Sequence, residues 1–70
     1  MTDDDLHKFC KDNKLYLEFF HHYRVGTTIF IDHYDEDYGF TVDYSGRKIE
    51  DIIEEIKYKM DKINNDYRNA

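Results

Sequence analysis

The chain is 70 residues long, carries a net charge of −6 and is 17% aromatic, with Cys10 as its one cysteine. One small domain over residues 1–70 fits this length, and a lone cysteine excludes a disulfide within the chain and favours the reducing cytoplasm. The ring content argues against disorder, no apolar run reaches the roughly 20 residues that a membrane helix needs, and the acidic start is unlike a signal peptide.

A short helix is predicted at the N-terminus. Thr2 and Asp5 have the spacing of a capping box, and the acids of residues 3–5 favour a helix N-terminus. Residues 12–14 are polar and form the predicted end. The apolar side chains between them share one side of such a helix: Leu6, Phe9 and Cys10.

Residues 15–23 alternate and are rich in aromatic side chains, which favours a strand. One predicted face carries Leu15, Leu17, Phe19, His21 and Tyr23, and the other carries Tyr16, Glu18, Phe20 and His22. A continuation of the first helix is the alternative, because Leu17 and Phe20 also fit the helical spacing of the first segment.

Two further strands are predicted to complete an antiparallel meander. Residues 24–26 suit a three-residue hairpin loop with Gly26 in the left-handed conformation, which pairs Phe19 with Ile31. The second strand then covers residues 27–34, residues 35–37 turn the chain, and the third strand covers residues 38–44. A register that pairs Ile31 with Val42 puts the apolar side chains on a common face: Ile29, Ile31, Phe40, Val42 and Tyr44.

The last segment predicts a long amphipathic helix that follows Ser45 and Gly46 and ends near Asn64 and Asn65. Its apolar residues recur at helical spacing: Ile49, Ile52, Ile53, Ile56, Met60 and Ile63. The predicted fold is therefore α+β, with a short N-terminal helix, a three-stranded antiparallel meander, and a long C-terminal amphipathic helix packed on one sheet face.

The residues that commonly carry chemistry do not form a recognisable site in the sequence. A calcium loop centred on Gly39 would put Tyr34 and Tyr38 where oxygen ligands belong. The histidines are predicted to lie apart on the sheet, not in a zinc site. Cys10 is on the apolar side of the first helix, where we expect a buried structural thiol. We expect no catalytic residue, no metal and no cofactor.

The strongest feature is an acidic, aromatic hairpin. Residues 15–46 hold six acids against Arg24 alone, and so carry nearly all of the excess negative charge. Such a field repels nucleic acid and attracts basic surfaces, while tyrosines offer rigid contact area. The predicted partner-binding residues are Phe30, Asp32, Tyr34, Asp35, Glu36, Asp37, Tyr38 and Asp43.

Two other interpretations of this hairpin stay open. In the first, the acids keep the protein soluble and protect its edge strands from pairing. In the second, Phe30 and its neighbours lie in the interface of a homodimer, and the protein is a self-associating structural or assembly protein. The expected partner is a protein in each binding hypothesis, with no nucleic acid bound directly and no membrane.

The order of elements and the acidic turn resemble the small acidic anti-CRISPR proteins of phages. The matching parts are the helix start at Asp5 and Leu6, the strand from Thr28 to His33, the turn of Asp35, Glu36 and Asp37, and the helix from Arg47. The resemblance implies a non-enzymatic inhibitor, in the cytoplasm of a host cell, that occupies the DNA-binding cleft of a CRISPR effector nuclease. The acids of such an inhibitor would cover the arginines of the nuclease that read the short motif beside the DNA target. By position, the acids of the turn match this role.

Overall fold

The computed structural model describes the backbone of residues 1–68, which form two helices and three strands. The elements are α1 (Asp3–Asp12), β1 (Leu15–His22), β2 (Gly26–His33), β3 (Gly39–Asp43) and α2 (Ile49–Arg68). The strands form one antiparallel sheet in the order β1-β2-β3. The predicted α+β fold is confirmed, since the three-stranded meander follows one helix in the chain and precedes the other.

Helix α1 begins at the predicted cap and ends in a tight reversal. The Asp5 carboxylate accepts the backbone N–H of Thr2 at 2.7 Å, and this bond lowers the pKa of Asp5. At the other end, the Asn13 side-chain amide donates to the Phe9 carbonyl at 2.8 Å. Lys14 then adopts the left-handed conformation, with φ of 61°. Because this conformation turns the chain out of the helix, residues 15–22 form a strand and the helical alternative is wrong.

Both predicted registers are displaced by two residues. Phe19 pairs with Ile29, where the prediction pairs it with Ile31, because the hairpin loop is residues 23–25 and Gly26 already pairs with His22. Gly26 has φ of 89°, as predicted for the left-handed position. Val42 also pairs with Ile29, not with Ile31. A displacement by two keeps every side chain on its predicted face, since strand side chains alternate with a period of two.

The turn between β2 and β3 explains the second displacement. The backbone N–H of His33 donates to the Tyr38 carbonyl at 3.1 Å, which closes the turn around residues 34–37. The His33 ring stabilises this longer turn from inside, because its Nδ1 accepts the backbone N–H of Asp35 at 3.1 Å and that of Glu36 at 3.0 Å. Strands β2 and β3 are therefore shorter at this end than predicted.

One apolar core lies between the two helices and a single face of the sheet. The long helix α2 packs against β3, and α1 packs against both β1 and α2. The interior therefore has helix on one side and sheet on the other, which confirms the predicted packing on one sheet face. Its buried members are Leu6, Cys10, Leu15, Ile29, Ile31, Val42, Ile52, Ile53 and Ile56.

Helix α2 continues through its predicted end. It starts at Ile49, where the Lys48 carbonyl accepts the backbone N–H groups of Asp51 and Ile52, and it runs past Asn64 and Asn65 to Arg68. Asparagine costs a helix only a few tenths of a kcal/mol, and no glycine or proline follows Gly46 to stop it. None of the helices in the described part of the chain is long and apolar enough to cross a membrane.

Candidate protein-binding surface

The sheet face that is turned away from the helices, called the open face below, carries every even-numbered side chain of β1 and β2. It comprises Tyr16, Glu18, Phe20, His22, Thr28, Phe30 and Asp32, with Gly39, Thr41 and Asp43 from β3. All of these positions are exposed except Thr28, which is half-buried. The alternation of side chains therefore produces one exposed surface that spans the three strands. The backbone hydrogen bonds of the sheet hold the positions of this surface in place.

Each row of the open face that spans all three strands contains one acid and one aromatic ring. The rows are Tyr16–Asp32–Gly39, Glu18–Phe30–Thr41 and Phe20–Thr28–Asp43. Directly opposite side chains in an antiparallel pair lie about 5 Å apart at Cβ. A carboxylate and a ring thus stand close together in the first two rows, and the third row separates them by one strand.

The exposed rings are paired with one another. Phe20 and Phe30 meet edge to face, with ring centroids 6.1 Å apart, and they are 57% and 43% exposed. Tyr16 and Tyr34 are in closer contact, with centroids at 4.1 Å. These contacts limit the freedom of the rings, so a partner that covers them has less side-chain entropy to remove.

The side-chain carboxylates of the open face form no ion pair with the described residues. Glu18, Asp32 and Asp43 take part in none of the ion pairs formed within the described part of the chain. Asp32 lies directly over Gly39, where an added Cβ would collide with its carboxylate and with the Ile31 carbonyl. The absence of a side chain at Gly39 therefore leaves room for the Asp32 carboxylate on the surface.

The acidic turn is partly neutralised. Lys14 forms an ion pair with Asp35 at 2.9 Å, and the resulting hydrogen bond lowers the pKa of Asp35 and raises that of Lys14. Glu36 and Asp37 are exposed and join none of the ion pairs among the described residues. The charge that the turn offers to a partner is therefore concentrated on Glu36 and Asp37.

The structure divides the predicted partner-binding residues into three groups. Phe30, Asp32 and Asp43 lie on the open face. Tyr34 and the acids of residues 35–37 lie at one end of the sheet, beside that face. Tyr38 lies on the opposite side, because its half-buried ring contacts His33 and stacks on Phe40, which packs against the core. Tyr38 is thus separated from the surface with which it was grouped.

The predicted partner-binding residues omit most of the open face, including all of its β1 positions. The sequence predicts Tyr16, Glu18 and Phe20 on one face of a strand, but its acidic hairpin signal does not include them. Their alternation, together with the predicted pairing of β1 with β2, was the available signal. With these residues included, the candidate surface spans all three strands.

The side chains that often support catalysis are dispersed. Within the residues that the structure describes, no group of three or more His, Cys, Asp or Glu side chains could hold a metal ion. Cys10 is 1% exposed, and burial raises the pKa of its thiol to about 11. The thiol is therefore protonated at neutral pH and is a poor nucleophile.

Comparisons with known proteins leave the open face as the main guide to function. No protein-family model matches the chain, and no curated protein or solved structure matches it significantly.

Proposed function

We propose that this protein is a non-enzymatic inhibitor that binds the basic surface of a nucleic-acid-handling defence protein through its open face. The observation that carries the proposal is the set of carboxylates that join no ion pair of the described residues, among exposed aromatic rings on one sheet face: Glu18, Asp32 and Asp43 beside Tyr16, Phe20 and Phe30. Its charge repels nucleic acid itself, so the partner is a protein.

The rows of the open face suit arginine. A guanidinium group can donate to a carboxylate while its flat face stacks on a neighbouring ring. Two rows offer this combination on adjacent strands: Tyr16 beside Asp32, and Phe30 beside Glu18. Surfaces that bind nucleic acid are rich in arginine and lysine. A protein that occupies such a surface excludes the nucleic acid from it.

The resemblance to phage anti-CRISPR proteins narrows the proposed partner to a CRISPR effector nuclease in the host cytoplasm. In that setting, Glu36 and Asp37 at the turn extend the acidic surface beyond the sheet end. The inhibitor covers the effector's arginines and prevents them from reading DNA. Neither a metal nor a cofactor has a role in this mechanism.

A matched pair of triple variants tests the proposal by affinity capture from bacterial lysate. The open-face variant is Glu18→Gln, Asp32→Asn and Asp43→Asn, and the control variant makes the same charge change on exposed α2 positions, with Glu54→Gln, Asp61→Asn and Asp66→Asn. The wild type and the control should capture a nucleic-acid-handling protein at low salt and release it at high salt. Equal capture by the open-face variant would refute the proposal.

Self-association through the open face is the second candidate, favoured by the exposed edge-to-face pair of Phe20 and Phe30. An apolar interface of this kind persists in high salt, whereas a charge-driven complex weakens. Salt dependence separates the two candidates, and Phe30→Glu tests the second one, because it should abolish a face-to-face dimer. A wild-type protein that stays monomeric at every concentration would eliminate this candidate.

A further inference from the structure

The two edges of the sheet differ in how their backbone groups are covered. On β3, two basic side chains of the following segment donate to the outward carbonyls: Lys59 to Thr41 at 2.6 Å, and Arg47 to Asp43 at 2.9 Å. Both cations are also paired with Glu55. Covering an edge with charged side chains prevents another strand from pairing there. The β3 edge is therefore blocked.

The β1 edge has unpaired backbone groups that point outward. The Tyr34 N–H donates to the Lys14 carbonyl at 2.9 Å. Because hydrogen-bonded pairs alternate along an antiparallel ladder, the even-numbered residues of β1 are the ones whose backbone groups bond to β2. The N–H and C=O groups of the alternate residues, Leu17, Phe19 and His21, point away from β2. Within the described part of the chain, these outward groups have no hydrogen-bond partner.

Strand β1 also lacks the devices that protect an edge. It is eight residues long, pairs with β2 without a bulge, and contains no proline, lysine or arginine. Five of its residues are aromatic or leucine in addition to its two histidines, with Glu18 as its one acid. A long, regular, largely apolar edge of this kind is a template for another strand.

We propose that β1 pairs antiparallel with β1 of a second copy, across a two-fold axis, to form one continuous six-stranded sheet. The chemistry of β1 favours its own copy as the occupant. In the register centred on Phe20, the two Phe20 rings meet, and Glu18 of each copy faces His22 of the other. A register centred on Glu18 is disfavoured, since it opposes two acids.

The surroundings of the edge are complementary in the same register. An open groove runs between α1 and β1, lined by residues that include His7, Lys11 and Leu17. The hairpin tip at the other end of β1 is exposed, with Tyr23 at 80%. When Phe20 is at the centre, β1 of one copy ends at His22 opposite Glu18 of the other copy, and the hairpin tip with Tyr23 follows in the direction of that copy's Leu17. Each tip thus reaches the groove of its neighbour, and a two-fold axis makes both contacts at once.

Pairing at the edge leaves the open face available. The two-fold axis is perpendicular to the sheet, so the open faces of both copies lie on the same side. The assembly therefore presents twice the number of acids and rings to a partner, on one surface. This pairing does not depend on the identity of that partner, and it differs from face-to-face association, in which the open faces cover each other.

Hydrogen exchange on the wild-type chain, combined with sedimentation from micromolar to millimolar concentration, tests the pairing. The expected result is a species of twice the single-chain mass, in which the outward amides of Phe19 and His21 exchange at least tenfold more slowly than in dilute monomer. A chain that stays monomeric overturns the proposal and leaves the edge to an extended segment of another protein. A dimer with unprotected amides at Phe19 and His21 overturns it as well.

Two variants distinguish the edge from the face. Phe20→Glu puts two acids opposite each other at the two-fold axis and should return the protein to a monomer. Phe30→Glu makes the same change on the central strand and should leave the mass of the dimer unchanged. Both side chains are exposed, at 57% and 43%, so both variants should fold. Loss of the dimer in both variants would assign the contact to the open face and refute edge pairing.

Discussion

Burial of Cys10 makes the stability of the protein sensitive to alkaline pH. The thiol has its usual pKa near 9 when the chain is unfolded, and burial raises the pKa to about 11 in the folded protein. An acid whose folded pKa is raised contributes stability that is complete below the unfolded pKa and is lost as pH rises toward the folded pKa. The loss between about pH 9 and pH 11 is on the order of 2 to 3 kcal/mol.

Urea unfolding of wild type and Cys10→Ala across this pH interval measures the effect. The variant lacks the thiol, so its free energy of unfolding should fall less steeply between about pH 9 and pH 11. A cavity from the lost sulfur lowers the stability of the variant at every pH, and the comparison therefore rests on the slopes. Parallel slopes would show that the thiol does not titrate differently in the folded chain.

At the scale of the elements, ion pairs and hydrogen bonds around Glu55 connect α2 to the edge of β3. Lys59 and Arg47 contact the two oxygens of Glu55 at 2.9 Å and 2.8 Å and hold the pKa of this carboxyl below its usual 4.5. The same two cations reach the β3 edge. A carboxyl whose folded pKa is lowered contributes stability above its unfolded pKa, and this stability is lost as pH falls through the folded pKa.

Glu55→Gln should therefore flatten the acid side of the stability profile. Between neutral pH and about pH 4.5 the variant should be less stable than wild type, and the difference should shrink as the pH falls further. Glu54→Gln is the control, because Glu54 is an exposed neighbour outside the ion pairs of the described residues. Measurement is by thermal unfolding at a series of pH values. A constant difference between Glu55→Gln and wild type would contradict the account.

The elements also show which parts of the fold were accessible to sequence reasoning. Alternation placed every strand side chain on its correct face, because a face depends only on odd or even position. The pairing registers of the strands were harder to predict from the sequence, since they depend on the lengths of the turns. The bonds from the His33 ring to the backbone of Asp35 and Glu36 lengthen one turn, and an imidazole in this role leaves no pattern in the sequence.

For the candidate site, the exposure of the acids followed from the sequence, but the surroundings of individual residues did not. Residues 15–46 do carry exposed acids, but Asp35 is neutralised by Lys14, and Tyr38 points to the other side of the sheet. Both outcomes depend on contacts between residues far apart in sequence or on the exact end of a strand. The predicted meander already placed β1 beside β2, so the contribution of β1 to the open face could have been inferred from the sequence.

For the whole molecule, the contacts that stabilise the fold lie apart from the proposed binding surface. Both helices and the apolar core occupy one side of the sheet, and the opposite side carries rings and acids that support no part of the core. Changes on the open face should therefore alter binding without unfolding the chain. This division makes surface variants informative, since a folded variant that loses a partner reports on the surface alone.

The most direct measurement of the central claim is a DNA-displacement assay with the captured protein. That protein is bound to a fluorescent DNA duplex, and wild type, the open-face variant or the α2 control variant is added while anisotropy is recorded. The account predicts that wild type and control displace the DNA, and that Glu18→Gln, Asp32→Asn and Asp43→Asn together weaken displacement at least tenfold. DNA that stays bound in a three-component complex, or displacement by the open-face variant equal to that of wild type, would contradict it.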